Sequence, residues 1–141
     1  MMPIRIILSF GLLLMGVLST SAESAIPSSS KTVEIVIHKR TFSPEVTTIA
    51  QGEPVTLILR NEDGDLHAFV PLLLFENVNV QVRGNGAPQF TESGFARVLI
   101  PPLGQAELAF VPKNVGTFFY ICDLPGHNMR GEIIVRDNAI P

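Results

Sequence analysis

From Thr32 onward, apolar residues fall on every second position in short runs, and this alternation limits the fold more than any other feature. Val33, Ile35 and Ile37 alternate with Thr32, Glu34 and His38; Val55, Leu57 and Leu59 follow the same pattern, as do Ala106, Leu108 and Phe110. A period of two belongs to a strand with one buried face, whereas a helix repeats every 3.6 residues. Further short runs at 66–70, 95–100, 117–122 and 131–136 are bounded by Gly, Pro, Asn or Asp, which break pairing and supply turns. Seven short strands without a long helical period predict an all-β chain, an antiparallel sandwich or barrel. The stretch 75–94 fits least well. It mixes Asn77, Asn79, Gly84, Asn85, Gly86 and Pro88 with a brief alternation at Val78, Val80 and Val82. It reads as a long crossover between sheets, with a short helix as the alternative.

The 141 residues leave room for one domain. Its first segment reads as export rather than fold: Arg5 gives a positive start, 6–17 an apolar run, and 18–24 a small, polar region with Thr20 and Ala22 placed for cleavage. That run is shorter than the ~20 residues that span a bilayer as a helix, so a cleaved signal peptide over 1–22 is expected in place of an anchor. Residues 23–31, with Pro27 and three consecutive serines, read as a flexible lead-in, and 32–141 as the folded domain. The expected location is periplasmic or secreted, without membrane insertion after cleavage. Losing the leader removes one basic residue and no acid, so nine basic against thirteen acidic residues give −4 where the whole chain has −3. A mildly acidic product gives no electrostatic reason to bind nucleic acid.

Exported chains usually pair their cysteines, yet Cys122 is alone. A lone thiol in an oxidising compartment is either buried and inert or held by a metal. Its surroundings favour a metal. The run Tyr120-Ile-Cys-Asp-Leu-Pro-Gly-His-Asn-Met-Arg-Gly-Glu-Ile133 sets a thiolate at a strand end, a Pro125-Gly126 turn, an imidazole at His127 and a thioether at Met129. Soft sulfur ligands joined to imidazole select copper over harder ions. Another ligand must come from elsewhere, and only three histidines exist. His38 shares the solvent face of its strand with Thr32 and Glu34, whereas His67 follows a polar turn at the head of an apolar strand. His67 is therefore the better candidate. A zinc site of His67, Cys122, His127 and Asp123 is formally possible, but Asp123 directly follows Cys122 and should point away. The neighbouring Glu62 and Asp63 read as solvated turn acids, and Phe42, Phe69, Phe110, Phe118 and Phe119 as core.

On these residues the sequence resembles the cupredoxins, the small blue copper proteins such as plastocyanin and azurin. The resemblance includes Phe42-Ser-Pro44 before Gly52, the block Asn61…Asp63…His67-Ala-Phe69, the turn Leu99-Ile-Pro-Pro-Leu-Gly104, and Gly116-Thr-Phe-Phe-Tyr-Ile-Cys122. It implies a Greek-key antiparallel β-sandwich of about seven to eight strands holding one type 1 copper ion. His67 and His127 would bind through nitrogen, Cys122 through thiolate, and Met129 as a weak axial ligand. The chain departs from the family at that axial position, because only Asn128 separates His127 from Met129, a loop short enough to hinder both side chains from turning inward together. The resemblance also implies hydrogen bonding around the ligands by Asn61 or its neighbours. It places an apolar docking face on His127, Leu124, Pro125 and residues 101–103.

The implied function is a soluble, monomeric one-electron carrier between redox partner proteins, a cytochrome or an oxidase or reductase. The alternative is a copper-binding protein that delivers or buffers the metal without redox work. Catalysis is not expected, since copper enzymes built on such domains need more histidines than this chain has.

Overall fold

The computed structural model describes residues 30–138; the expected signal peptide and residues 23–29 of the lead-in lie outside the described residues. Eleven strands run in the order β1 Lys31–His38, β2 Thr41–Ser43, β3 Val46–Ala50, β4 Val55–Asn61, β5 His67–Pro71, β6 Gln81–Gly84, β7 Ala87–Thr91, β8 Gly94–Ile100, β9 Gln105–Phe110, β10 Gly116–Cys122 and β11 Met129–Arg136. They form a five-stranded sheet, β2-β1-β4-β9-β6, and a six-stranded sheet, β3-β11-β10-β5-β8-β7.

The alternation read in the sequence becomes the facing of each strand. In the first sheet β1 lies beside β4 with Val33 opposite Leu57 and Ile35 opposite Leu59, and β9 lies on the other side of β4 with Leu108 opposite Leu57. Ile35, Ile37, Leu57, Leu59, Ala106 and Leu108 thus share one face and are almost wholly buried. They meet Phe69, Val98, Ile100, Tyr120, Ile133 and Val135 of the second sheet in a single core. Burying a large aliphatic or aromatic side chain is worth about 1.5–3 kcal/mol, so this interleaved set dominates the stability.

The structure bears out the all-β sandwich and refines it in three respects. Two neighbouring pairs are parallel rather than antiparallel, β1 with β4 and β3 with β11. The cause is a change of sheet: the chain edges the first sheet with β2, then edges the second with β3 before returning as β4. The stretch 75–94 carries strands β6 and β7, which with the short β2 and β3 bring the seven expected strands to eleven. β7 is exposed along its whole length, so it has no apolar alternation to reveal it. Finally, Phe119 is not core. It faces outward beneath the guanidinium of Arg130, whose carbon lies 5.0 Å from the ring centroid.

The β10–β11 hairpin is packed at one glycine. Gly131 stands opposite Tyr120 in the ladder, and the phenol end of that ring fills the space a side chain would need. Tyr120 is in turn held by Phe42 and Phe69 at centroid distances of 4.9 Å. Gly131→Ala should therefore force a buried ring to move and destabilise the chain by roughly 1–3 kcal/mol, the usual cost of overpacking. Denaturant unfolding of the two proteins measures it, and equal midpoints would refute this packing.

Candidate metal centre

Strands β10 and β11 pair antiparallel down to their last partners, Cys122 and Met129. Directly opposed residues project to the same side of the sheet with their Cβ atoms about 4.5–5.5 Å apart. Both side chains point inward and are buried. The six residues between them include a tight turn: the amide of His127 donates to the carbonyl of Leu124 at 3.0 Å, with Pro125 and Gly126 at the centre. Gly126 has φ 78°, a left-handed value that suits glycine. Proline followed by such a glycine is the composition of a type II turn. The turn folds His127 back over the strand ends, leaving its ring half-buried.

The second imidazole arrives from another part of the sheet. β5 is bonded to β10 only at Tyr120–Pro71 and Ile121–Val70. Beyond these pairs, where the ladder stops, the amide of Ala68 donates to Cys122 Sγ at 3.3 Å. His67, the preceding residue, is wholly buried. Its Nδ1 lies 3.2 Å from His127 Nδ1, which lies 3.5 Å from Cys122 Sγ. One donor atom each from His67, Cys122 and His127 falls within 4.8 Å of the other two.

Polar groups fix these donors from behind. His67 Nε2 is 3.0 Å from Asp63 Oδ2. The same carboxylate accepts the amides of Lys39 and Arg40 at 2.7 and 2.8 Å. Burial favours the neutral acid in Asp63, but the Arg40 and Lys39 amides and the His67 ring outweigh it and hold the carboxyl below its usual value. Burial pulls His67 below the usual histidine range; the bond to Asp63 opposes this and the nearby His127 adds to it. With its proton on Nε2 facing the carboxylate, the lone pair of Nδ1 faces the other donors.

The structure thus brings together the expected His67, Cys122 and His127, with Met129 beside Cys122. The short loop does not turn Met129 outward, because the thioether leaves from the first residue of β11 and not from the turn. His38 faces solvent beside Glu62, and Asp123 turns away to Arg97 at 2.6 Å, which removes it from any zinc set. Glu62 is a solvated acid as expected, paired with Arg60. Asp63 is not: it is largely enclosed and bound to His67. Sequence reasoning missed it because its partners Lys39 and Arg40 lie in a distant turn. Its place four residues before the candidate ligand was the available signal.

Two nitrogens 3.2 Å apart can both lie about 2.0 Å from one centre, the usual metal–nitrogen bond. A sulfur 3.5 Å from one of them can lie about 2.3 Å from that centre as well. Two imidazoles, a thiol with an amide donor already on its sulfur, and a neighbouring thioether are a donor set that suits copper. The residues fit the group. The sequence matches the family model of the cupredoxin-like domain over residues 11–135. The chain belongs to the cupredoxin family.

Solved structures agree on the fold. Auracyanin A of Chloroflexus aurantiacus, described as a "blue" copper protein, is 20% identical with a TM-score of 0.57 over 77% of this chain and 100% of its own. The auracyanin of Roseiflexus castenholzii is 17% identical with a TM-score of 0.56 over 77% of this chain and 98% of its own. The multicopper oxidase McoA of Aquifex aeolicus is 15% identical with a TM-score of 0.59, matching 76% of this chain but 29% of that enzyme. No curated protein matches the chain by sequence.

In this cupredoxin one buried amide fastens the turn that precedes His67. Asn61 closes β4 and is 2% exposed. Its Nδ2 donates to the carbonyls of Asp65 at 2.8 Å and Pro101 at 2.9 Å, and its Oδ1 accepts the amide of Asp63 at 2.9 Å. The turn before His67 and the loop after β8 are thereby tied to the first sheet. Asn61→Ala leaves buried partners unsatisfied and should cost about 1–3 kcal/mol. Thermal unfolding of the metal-free protein gives the value, and an unchanged midpoint would show that the amide ties nothing.

Proposed function

We propose that this cupredoxin is an exported, monomeric one-electron carrier in which His67, Cys122, His127 and Met129 hold a single copper ion. The observation that carries the reading is the convergence of the thiol and two imidazole nitrogens within 4.8 Å, the one such cluster among the described residues. When bound, copper supplies a one-electron couple between Cu(I) and Cu(II). The chain's own residues make that couple usable. Cys122 and Met129 are fixed by a strand ladder, His127 by the Pro125-Gly126 turn, and His67 by Asp63, so the donors have little freedom to rearrange between oxidation states.

The two rings divide the work. His67 is shut inside, while His127 is half-buried, and Pro102, Leu103 and Pro125, which the family resemblance assigns to the same docking face, are exposed. An apolar surface of this kind favours brief contact with a redox partner, a cytochrome or an oxidase or reductase, over a tight complex. A single cluster with no added histidines supports a carrier rather than an enzyme. The auracyanins, blue copper proteins of similar fold, are in keeping with this. The leader-like sequence of residues 1–22 supports export to the periplasm or beyond.

The second reading, copper delivery or buffering, draws on the half-exposed His127, which would give an acceptor access to the ion. The two readings separate in solution. A carrier should show an intense thiolate-to-copper absorption when oxidised and cycle reversibly, without metal loss, against a cytochrome; a delivery protein should lose copper to a chelating acceptor within the same cycles. Cys122→Ser should abolish the absorption and leave the sandwich folded by circular dichroism. Retention of full colour would end the assignment.

Met129 is tested separately. Met129→Leu preserves the buried volume, so stability should fall by less than ~1.5 kcal/mol while the copper spectrum and reduction potential both change. If only stability responds, Met129 packs beside the centre without serving it.

A further inference from the structure

We propose that Asp63 is a positioning residue for the centre: its carboxylate fixes the ring of His67 and raises the electron density at Nδ1, which biases bound copper toward its oxidised form. The proposal rests on the reading of His67 as a copper ligand.

Three observations carry it. The contact is direct, with Asp63 Oδ2 3.0 Å from His67 Nε2, and the imidazole has no other hydrogen-bond partner behind it among the described residues. A carboxylate on the far nitrogen of a ligand imidazole fixes the tautomer and makes the near nitrogen a stronger donor. The more highly charged ion gains more from a stronger donor and from a nearby anion.

The carboxylate is also held independently of the histidine. Lys39 and Arg40 form the two-residue turn between β1 and β2, both left-handed, with φ 52° and 55°. Residues with a Cβ adopt this conformation only at a cost. It aims both amides at Asp63, one to each oxygen, and hydrogen bonds to a charged group are strong enough to offset that cost. The carboxylate is thus a fixed point against which the ring is aligned, not a side chain that follows it. Its backbone is fastened too, since its amide binds Asn61 and its carbonyl accepts the amide of Leu103.

A neighbouring acid supplies the control. Asp65 is half-exposed and bound to the guanidinium of Arg40, with no hydrogen bond to His67. Removing its charge changes the overall field in the same sense while leaving the ring contact intact.

The experiment compares the copper-loaded protein with Asp63→Asn and Asp65→Asn by visible absorption and potentiometry. With the thiolate-to-copper band present in all three, Asp63→Asn should favour the reduced state about tenfold, equivalent to 59 mV for a one-electron couple. Asp65→Asn should shift it less. A change under threefold in Asp63→Asn, or an equal change in Asp65→Asn, overturns the proposal while leaving the copper reading intact. Absence of the band in the unsubstituted protein overturns the copper reading instead.

Should Asp63→Asn not fold, or should it alone lose the band, nitrogen-15 spectroscopy of the unsubstituted, metal-free protein decides the positioning role. A His67 ring proton resident on Nε2 and protected from exchange supports it. A proton on Nδ1, or rapid exchange, refutes it.

Discussion

The register of the β10–β11 hairpin, with Cys122 opposite Met129, is the constraint on which the rest of the centre depends. Side chains alternate across a strand, so a slip of one residue would turn Cys122 to the solvent face and bring Ile121 inside. The register is set far from the centre as well as near it. Phe118 opposite Ile133 and Tyr120 opposite Gly131 extend the same ladder, with Ile133, Tyr120 and Gly131 buried in the interior. The close packing of Tyr120 on Gly131 admits no alternative partner of larger size. The hydrophobic core thus decides where the sulfur ends up, and the six-residue connection then has one remaining task, to return His127 over it.

The second imidazole is placed by the failure of a ladder. Had β5 continued to pair with β10 past Ile121, the amide of Ala68 would have gone to a backbone carbonyl. Instead the strands part, and the sulfur takes that amide. A buried amide without a partner would cost about 1–3 kcal/mol, so the thiol sulfur helps to satisfy the end of the sheet. Around this point the buried polar atoms form a connected set in which Asn61 joins the turn at Asp63 and Asp65 to the loop at Pro101. Such a set is worth more when complete than bond by bond, because the low dielectric that strengthens each bond also penalises each vacancy.

Much of this is legible in the sequence. The strands with strict alternation appear where the apolar residues place them, since in each one the burial of a single face outweighs every competing preference. The Pro-Gly-His run between Cys122 and Met129 can be read because its residue types are demanded by a tight turn. What cannot be read depends on contacts between distant segments. Asp63 looks like a solvated turn acid until the β1–β2 turn brings two amides to it. β6 and β7 have little or no buried face and so no alternation, and Phe119 differs from its core neighbour Phe118 only by parity, which a one-residue uncertainty in strand phase erases. The placement of Met129 is also decided by register. Counting residues after His127 suggests a loop too short for both side chains to turn inward, whereas the thioether belongs to the strand.

The burial of the two histidines follows from this division of origins. His67 heads a central strand of the second sheet, between β10 and β8, and a ring there is enclosed on both sides. Its second nitrogen then needs a partner, which must come from the protein, and Asp63 supplies one. His127 sits on a turn outside the ladder, so its ring is half-covered and water can reach it. A ring enclosed by sheet and carboxylate can set the properties of a bound ion, and one at the surface can exchange electrons with a partner. On the proposed reading neither position suits both tasks: exposing His67 would screen the carboxylate behind it, and burying His127 would lengthen the path to any partner. The sandwich keeps the two roles apart by drawing one imidazole from a strand and the other from a loop.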